Sequence, residues 1–246
     1  MKDINNYAQN YLRQYADGEF ETTLVRVRRK YVLGALARYP HALVLEVGCG
    51  MEPLFQFAGD ASFTIGEPSE EFARHARELA GGPEVRVIRG FLEEVAPSLA
   101  QRRFDFIVVS SLLHEVSDPV ALLAAVRSLC DDQTVVHFNV PNVRSFHRLL
   151  ALEMGLISDL FEQSETERRF QRHTRFDAAR LSEMLQANGF RILDSATYFI
   201  KPFTHAQMEA LMQSGAAAPE LIDGLDRMTK YLPDMGCEIY ANVRRA

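Results

Sequence analysis

The apolar positions of the chain fall into two alternating patterns, one typical of buried strands and one typical of helices. Two helix-period segments, 69–80 and 118–129, stand between short apolar runs of the kind that form buried parallel strands. The second helix begins after Ser117-Asp118-Pro119, a typical helix-start sequence. Strands and helices that alternate in this way predict an α/β fold, with a parallel sheet covered on both faces. The predicted strands of this part are 42–47, 62–66, 85–89, 104–109 and 134–139.

Three segments depart from the alternation, and we expect each to be a helical addition to a single domain spanning residues 1–246. Residues 1–40 are predicted to form an N-terminal helical cap and 142–175 a lid insertion. A second helical insertion is predicted at 204–230, before the last strand. The remaining predicted elements are helices at 5–16, 20–38 and 177–188 and strands at 190–199 and 237–243.

Composition and charge narrow the classes of function. Of the 246 residues, 47% are hydrophobic and 24% charged, as in an ordinary soluble globular protein. The net charge of −6 argues against a nucleic-acid partner, which a basic excess would favour. No apolar run is long enough to cross a membrane, and the first residues lack the apolar core of a signal peptide. We therefore expect a cytoplasmic protein with no membrane partner.

The three cysteines are Cys49, Cys130 and Cys237, which lie far apart and form no Cys-x-x-Cys pair. This spacing suggests neither a zinc site nor a disulfide framework. Reduced thiols are expected.

A basic run lies within the predicted helix 20–38. Leu24, Val27 and Tyr31 give this helix an apolar face, and the basic residues lie mostly off it. We therefore expect the run to form a solvated helix face. It consists of Arg26, Arg28, Arg29 and Lys30.

The end of the first predicted strand carries the strongest chemical signal. The run Leu43-Val44-Leu45-Glu46-Val47 leads directly into the turn Gly48-Cys49-Gly50. Glycines at this point let the backbone turn sharply and approach a ligand closely. Such a turn after a parallel strand is where open α/β sheets bind nucleotide-like ligands. Glu67 ends the second strand 21 positions after Glu46, where an acid is placed to accept both hydroxyls of a ribose.

These residues, together with two later segments, resemble the class I (Rossmann-like) S-adenosylmethionine-dependent methyltransferases. Phe104-Asp105-Phe106-Ile107 in the fourth strand and Leu113-His114-Glu115-Val116 after it are both similar to family motifs. The resemblance covers residues 42–200, with four motifs in the family's order. It implies an α/β fold with a seven-stranded Rossmann-like sheet of order 3-2-1-4-5-7-6, N-terminal helices and helical lid insertions. It also implies S-adenosylmethionine as the cofactor.

The resemblance assigns cofactor-binding roles to residues of four turns. Glu46 would organise the amino end of the methionine moiety, and Glu67 would hold the ribose. Phe91 stands where many relatives carry an acid, so an apolar wall for the adenine is expected, with simple core packing as the alternative. Glu52 replaces the family's third glycine, either as a helix-start charge without a ligand role or as a further partner for the ammonium group. The predicted cofactor-binding residues are Glu46, Gly48, Cys49, Gly50, Glu67, Pro68, Phe91, Leu92, Ser110 and Ser111, with the two serines bordering the sulfonium.

Histidines are the candidate catalytic residues. His114 is the first candidate for a general base toward a hydroxyl acceptor, and His173, in the predicted lid, is the second. The alternative for each is a neutral structural histidine. An acceptor amine that has lost its proton would need neither of them.

The acceptor side is predicted from the segment that follows the fifth strand. Pro141-Asn142-Val143-Arg144-Ser145 is similar to segments of relatives that act on small molecules and glycans, and His147 follows two positions after Ser145. We expect a small-molecule or sugar acceptor methylated at O or N, and no metal, because the Asp-rich triad of catechol-type relatives is missing. Arg172 and Arg175 are candidates for holding an anionic group on the acceptor. Solvated ion pairs with neighbouring glutamates are the alternative, and a homodimer is left open.

Two other functions remain as alternatives. A nicotinamide-dependent oxidoreductase also uses Gly-x-Gly and an acid about 20 residues later, but Glu46 would have no task in it. A non-catalytic cofactor-binding regulator would account for the unusual Glu52 and Phe91.

Overall fold

A computed structural model describes residues 4, 8, 11–12, 18–59, 61–162 and 174–246. Its strands form one seven-stranded sheet in the order β3-β2-β1-β4-β5-β7-β6. Neighbouring strands are parallel except that β7 runs antiparallel to β5 and β6. This confirms the predicted α/β fold and strand order. The strands are β1 Leu43–Val47, β2 Ser62–Glu67, β3 Val85–Arg89, β4 Phe106–Ser110, β5 Val135–Pro141, β6 Phe190–Tyr198 and β7 Glu238–Arg245.

Helices cover both faces of the sheet and begin at recognisable capping residues. Side-chain oxygens of Ser69, Asp118, Asp177 and Thr204 accept hydrogen bonds from the first turns of their helices. The described helices are α1 Glu19–Leu36, α2 Glu70–Leu79, α3 Leu92–Leu99, α4 Pro119–Ser128, α5 Phe146–Glu153, α6 Ala178–Ala187, α7 His205–Gln213 and α8 Pro219–Arg227. Two short 3-10 segments are Leu54–Gln56 and Met228–Lys230.

The central strands are buried on both faces, as their continuous apolar runs predict. Leu45 and Ile107 belong to the larger core cluster on one face of the sheet, where Leu123 of α4 and Leu185 of α6 join them. Val44 and Phe106 face the other side, together with Val32 of α1. The strand order reverses between β1 and β4, so the turns after these two strands border the same crevice.

The predicted helical additions are only partly described. Most of the predicted helix 5–16 and the lid segment 163–173 lie outside the described residues. The described part of 142–175 contains α5, and 204–230 contains α7 and α8. Helix α3 was not predicted, because it is short and Pro97 interrupts its pattern. Within the described part of the chain, no helix is both long and apolar enough to cross a membrane.

Helix α1 is anchored to the second insertion by charged groups. The Glu209 carboxylate accepts hydrogen bonds from the backbone amides of Glu19 and Phe20, at 3.2 and 2.9 Å, and so satisfies the start of α1. Asp226 of α8 is buried and accepts from Lys30 Nζ at 2.6 Å and from the Tyr31 hydroxyl at 3.0 Å. Because these bonds join α1 to α7 and α8, the three helices stand together beside the sheet.

Candidate functional site

A cavity of about 1010 Å³ lies at the carboxyl ends of the central strands. On one side it is lined by the turns that follow β1, β2, β3 and β4, and on the other by α1, α5 and the start of β7. This volume is at the upper end for small-molecule sites, which run to about 1,000 Å³. The cavity therefore has room for a cofactor and a second small molecule side by side.

The turn after β1 depends on its glycines. Gly48 and Gly50 have φ of +74° and +56°, in the left-handed region that side-chain-bearing residues rarely adopt. The Gly48 amide donates to the Gly66 carbonyl at 2.8 Å, so the turn is fixed to the neighbouring strand β2. A side-chain carbon at Gly48 would lie 3.6 Å from Leu112, which is ordinary contact. The requirement for glycine here is therefore conformational, not one of space.

Glu46 is a buried acid on the cavity wall. Its two carboxylate oxygens lie 3.2 and 3.0 Å from the Leu54 amide, from which they accept a hydrogen bond at the start of the short 3-10 segment. This contact closes the loop that carries Glu52 and Pro53. Burial raises the pKa of Glu46 to about 8, against the Leu54 hydrogen bond and with some repulsion from Glu67. Glu46 is thus a carboxyl group whose charge depends on what lies beside it in the cavity.

Glu67 joins the ends of β1 and β2. Its carboxylate accepts from the backbone amides of Ser69 at 2.8 Å and Cys49 at 3.0 Å. Burial raises the pKa of Glu67, and these backbone hydrogen bonds offset part of the effect. The Cys49 thiol also donates to this carboxylate at 3.8 Å. Because an ionised carboxylate has about four acceptor positions, these three hydrogen bonds leave room for a donor from a ligand. Pro68 lies beside it on the cavity wall.

The turn after β3 supplies an apolar wall. Phe91 and Leu92 line the cavity directly before and at the start of α3, and Leu92 is buried. Gly90 precedes them with φ of +151°, and a side-chain carbon there would lie 2.6 Å from Val95. The glycine therefore lets α3 turn close under the strand and present Phe91 to the cavity.

The turn after β4 has an uncommon backbone conformation. Ser111 adopts φ of +53° although it is not glycine. Its amide donates to the side-chain oxygen of Asn139 at 2.8 Å and to the Asn139 carbonyl at 3.1 Å. Ser110 and Ser111 both line the cavity, as does Leu112. The predicted residues of β1, β2, β3 and β4 are thus brought together around one space.

Of the two catalytic candidates, only His114 belongs to the described residues. His114 is buried and is not among the described residues that line the cavity. Its neighbour Glu115, also buried, lines the cavity instead, and His114 Nε2 lies 3.7 Å from the Glu115 carboxylate. His173 lies outside the described residues. Of the adjacent pair His114 and Glu115, only Glu115 reaches the cavity, and the catalytic role of His114 stays a prediction.

The candidates for binding the acceptor differ in whether they line the main cavity: His147 does and Arg175 does not. His147 lines the cavity, and its Nδ1 lies 3.1 Å from the Ser145 hydroxyl. Burial lowers the pKa of His147 to about 2, and Lys201 and Arg148 add to the effect, so its ring is neutral at neutral pH.

Arg175 lies away from the main cavity. Its guanidinium donates to the Phe161 carbonyl at 2.8 Å, and it borders a smaller depression with Arg180 and Met184. Arg172, the other half of the predicted anion clamp, lies outside the described residues. Arg175 is not among the described residues that line the main cavity, and the anion clamp stays a prediction.

Arg28 was expected on a solvated helix face, and that expectation is wrong. Its side chain is 18% exposed, lines the cavity, and donates to Glu238 at 3.0 Å, with Glu21 at 3.8 Å. Burial alone would lower the pKa of Arg28, but the two carboxylates outweigh it and raise the pKa further. Arg28 stands four positions after Leu24, which places it on the apolar face of α1, and this spacing was the available signal. Glu238 comes from the distant β7, which no local pattern reveals.

Glu52, at the position of the missing third glycine, pairs with Arg29 of α1. The Arg29 guanidinium also lies 3.6 Å above the ring of Phe57. Glu52 is 42% exposed at its side chain. Glu52, which stands where the family has its third glycine, thus joins the turn after β1 to α1 through an ion pair.

Comparisons with known proteins agree with this geometry. A family profile described as a methyltransferase domain matches residues 24–195, more than two thirds of the chain. A comparison with curated proteins finds none that matches.

Many solved structures share the fold at low sequence identity. An S-adenosylmethionine-dependent methyltransferase from Mesorhizobium loti is 20% identical, with 89% of this chain and 98% of that chain covered and a TM-score of 0.59. A methyltransferase from Thermotoga maritima is 15% identical, with 99% and 96% covered and a TM-score of 0.59. The plantazolicin methyltransferase BamL, solved with a triazolic desmethylPZN analogue and S-adenosylhomocysteine, is 17% identical, with 98% and 95% covered and a TM-score of 0.58.

Similarity to solved structures at these low sequence identities establishes the fold of the chain. The match to the family profile establishes the family to which the chain belongs. Because the profile covers most of the sheet, the oxidoreductase alternative is excluded. The chain belongs to the class I, Rossmann-like S-adenosylmethionine-dependent methyltransferases, enzymes that take their methyl group from S-adenosylmethionine.

Proposed function

We propose that this methyltransferase acts on a small-molecule acceptor at an oxygen or nitrogen atom. One observation carries the proposal: a single cavity of about 1010 Å³ joins the strand-end turns to a mixed polar and apolar wall built by α1, α5 and β7. A continuous space of this size places two small molecules against each other, whereas a macromolecular acceptor would need an open surface. The plantazolicin methyltransferase solved with a triazolic desmethylPZN analogue and S-adenosylhomocysteine shares this fold.

The cofactor half of the cavity is proposed to be the half formed by the four turns. The residues fit the group chemically: Glu67 offers a carboxylate acceptor to the ribose hydroxyls, and Phe91 and Leu92 give the adenine an apolar wall. Glu46 faces the cavity near the glycine turn, where an ammonium group of the methionine moiety would keep it ionised. Gly48, Cys49 and Gly50 form the backbone against which the methionine moiety lies, with Pro68 and the serines at the edges.

The acceptor half is proposed to lie between Glu115, His147 and the Arg28–Glu238 pair. These side chains belong to four different elements and meet only at the cavity. Glu115 is the acid nearest in sequence to the turn after β4, and it is the first candidate to take a proton from the acceptor. His147, neutral at neutral pH, is suited to donating or accepting a hydrogen bond, and its low pKa makes it a weak base.

Methyl transfer requires the protein mainly to position the acceptor atom against the methyl group. When bound, S-adenosylmethionine supplies an electrophilic methyl group on a sulfonium. The residues of this chain then have to hold the acceptor atom in line with that methyl group, exclude water and remove a proton from a hydroxyl acceptor. His114, beside Glu115 at 3.7 Å, is placed to affect that acid and stays a candidate through it.

The experiment is a screen of acceptor pools with the purified protein and S-adenosylmethionine, read out as S-adenosylhomocysteine release. Separate pools of amines, phenols and alcohols, sugars and carboxylic acids distinguish the acceptor atom. Glu115→Gln should lower kcat for a hydroxyl acceptor by about 10²–10⁴-fold, the range for general base catalysis. Glu78→Ala, on the exposed face of α2, is the matched control and should leave kcat unchanged.

Two outcomes would contradict the proposal. Release that occurs only with a protein or nucleic-acid acceptor would show that the cavity does not take the acceptor as a small molecule. Cofactor binding without transfer to any pool, protein or nucleic acid would instead favour the non-catalytic regulator.

A further inference from the structure

The turn after β4 is held by a buried side chain of the next strand. Ser111 has φ of +53°, in the left-handed region that is sterically unfavourable for a residue with a side chain. Asn139, fully buried on β5, is the Cα partner of Ser110 in the sheet. Its side-chain oxygen accepts from the Ser111 amide at 2.8 Å, and its side-chain nitrogen donates to the Ser110 hydroxyl at 2.9 Å. One amide group thus holds two consecutive residues of the turn.

The same turn sets the width of the crevice between β1 and β4. Leu112, which follows Ser111, lies 3.6 Å from the position that a side-chain carbon on Gly48 would occupy. The two turns therefore face each other across the switch point of the sheet. A change in the backbone at Ser111 would move Leu112 relative to the glycine turn.

The orientation of the Asn139 amide is determined by a chain of buried polar groups. Its nitrogen also faces His137 Nε2 at 3.4 Å, and an amide nitrogen only donates, so Nε2 accepts. The proton of His137 is then on Nδ1, which donates to the side-chain oxygen of Asn242 at 2.8 Å. The nitrogen of Asn242 donates in turn to Asp194 at 3.0 Å. Each bond in this series fixes the direction of the next.

The pairing register of the strands places these polar side chains in one row across the sheet. Ser110 is the Cα partner of Asn139, His137 of Asn242, and Asn242 of Asp194, across strands β4, β5, β7 and β6. Asn139 and His137 are two positions apart on β5 and so share one face of the sheet. A β-bulge between Ile192 and Asp194 brings Asp194 into the row. A buried polar group without a partner is costly, and here each one is satisfied by its neighbour.

We propose that Asn139 is a positioning residue for methyl transfer: its side-chain amide holds the Ser110–Ser111 turn in the shape that receives the cofactor, and His137 and Asn242 fix the direction of that amide. The inference rests on the proposed function in that the turn borders the cofactor. Asn139 does not line the cavity and acts only through the two serines and Leu112.

The first test is Asn139→Ala, compared with Thr134→Val. Thr134 lies immediately before β5, at the opposite end of the strand, is equally buried, and donates to the Phe104 carbonyl at 2.8 Å. Both variants remove a buried hydrogen-bonding side chain, so both should lose stability. Only Asn139→Ala should weaken S-adenosylmethionine binding in calorimetry, by about tenfold, and lower kcat by about 10²-fold, the scale for a misplacement of about 1 Å.

The second test is Asn139→Asp, which keeps the shape but changes the hydrogen-bonding pattern. The new oxygen would face the accepting Nε2 of His137, and two acceptors repel unless a proton lies between them. The variant should therefore bind cofactor and turn over well at about pH 6 and lose both as the pH rises toward about 9, whereas the wild type lacks this loss. Other groups around His137 are Asp194, Arg38 and the stacked ring of Tyr240, and all three are unchanged in the variant.

The outcomes separate this inference from the proposed function. If no acceptor is found for the wild type, the cofactor affinities of the variants still decide the role of Asn139. If Asn139→Ala binds S-adenosylmethionine as tightly as Thr134→Val does, or if Asn139→Asp shows no pH dependence in binding, the positioning role is wrong. Tenfold weaker binding with rescue of Asn139→Asp at low pH supports it.

Discussion

At the scale of single residues, the site is built from acids that serve both the fold and a ligand. Glu46 bonds the loop after the glycine turn, and Glu67 bonds the ends of two strands. Both are buried, and burial raises the pKa of each. A cationic or hydroxyl-rich ligand would compensate for that burial, so these residues should report directly on cofactor binding.

Replacing Glu67 should weaken cofactor binding. In Glu67→Ala the ribose hydroxyls lose a charged acceptor, and the free energy of S-adenosylmethionine binding should become less favourable by about 1.5–3 kcal/mol. Calorimetry measures the affinity, with Glu78→Ala on the exposed face of α2 as the control. Unchanged affinity in a folded Glu67→Ala protein would remove the ribose assignment.

Cofactor binding should release a proton from Glu46. With a pKa of about 8, against an ordinary value of 4.5, this carboxyl is mostly protonated at pH 7 in the protein alone. An ammonium group beside it favours the ionised form, so binding at pH 7 should release a proton and affinity should rise as the pH approaches about 8. Calorimetry in buffers of different ionisation enthalpy counts the proton. Glu46→Gln should show no such release; equal proton counts in variant and wild type would exclude this role.

At the scale of elements, α1 is joined to distant parts of the chain by buried and half-buried acidic side chains. Asp226 connects it to α8, Glu209 to α7, and Glu238 to β7. Because of these contacts, α1, which precedes the sheet in the chain, forms part of the cavity wall. They also explain why Arg28 is inside and not on a solvated face.

Removing Asp226 should destabilise this wall. Asp226→Ala leaves the Tyr31 hydroxyl without its acceptor and removes a charge-assisted bond to Lys30. The expected loss in the free energy of unfolding is about 2 kcal/mol, within the range for hydrogen bonds to charged groups. Urea unfolding measures it, with Glu220→Ala, at the exposed start of α8, as the control. A loss no larger than that of the control would show that these bonds add nothing to stability.

At the scale of the whole molecule, buried neutral histidines should make the fold sensitive to acid. Burial lowers the pKa of His137 to about 4 from an ordinary 6.5, against the hydrogen bond that its ring donates to Asn242 and the nearby charge of Asp194. Between pH 6.5 and about 4 the unfolded chain binds a proton that the folded chain does not, so stability falls as the pH falls. At roughly 1.4 kcal/mol per pKa unit the loss is about 3 kcal/mol, and this group contributes no further loss below about pH 4.

Urea unfolding at a series of pH values tests this expectation. His137→Gln has no group that titrates in this range, and its stability should fall less steeply than that of the wild type between pH 6.5 and 4. His41, a half-buried histidine whose ring faces the Tyr39 carbonyl, gives the control variant His41→Gln, which should keep the wild-type slope. Parallel curves for wild type and His137→Gln would contradict the prediction.

The sequence by itself determined the fold class, most strand and helix positions, and the turn that opens the site. These are local properties: strand and helix periodicity depends on neighbouring residues, and Gly48 and Gly50 are needed because of their own backbone angles. The strand order came from resemblance to a family and was confirmed. Helix α3 was not predicted because it is short and Pro97 interrupts its helical pattern.

Only the tertiary structure decided which polar residues meet. Arg28 lies in the cavity wall because Glu238, 210 positions later in the chain, is placed beside it at the start of β7. The row from Asn139 to Asp194 exists because four strands pair in one register, and a shift of one residue would turn each side chain to the other face. His114 and Glu115 are adjacent in the sequence, yet of the two only Glu115 lines the cavity. Contacts between distant segments depend on how the sheet assembles, and no local pattern contains that information.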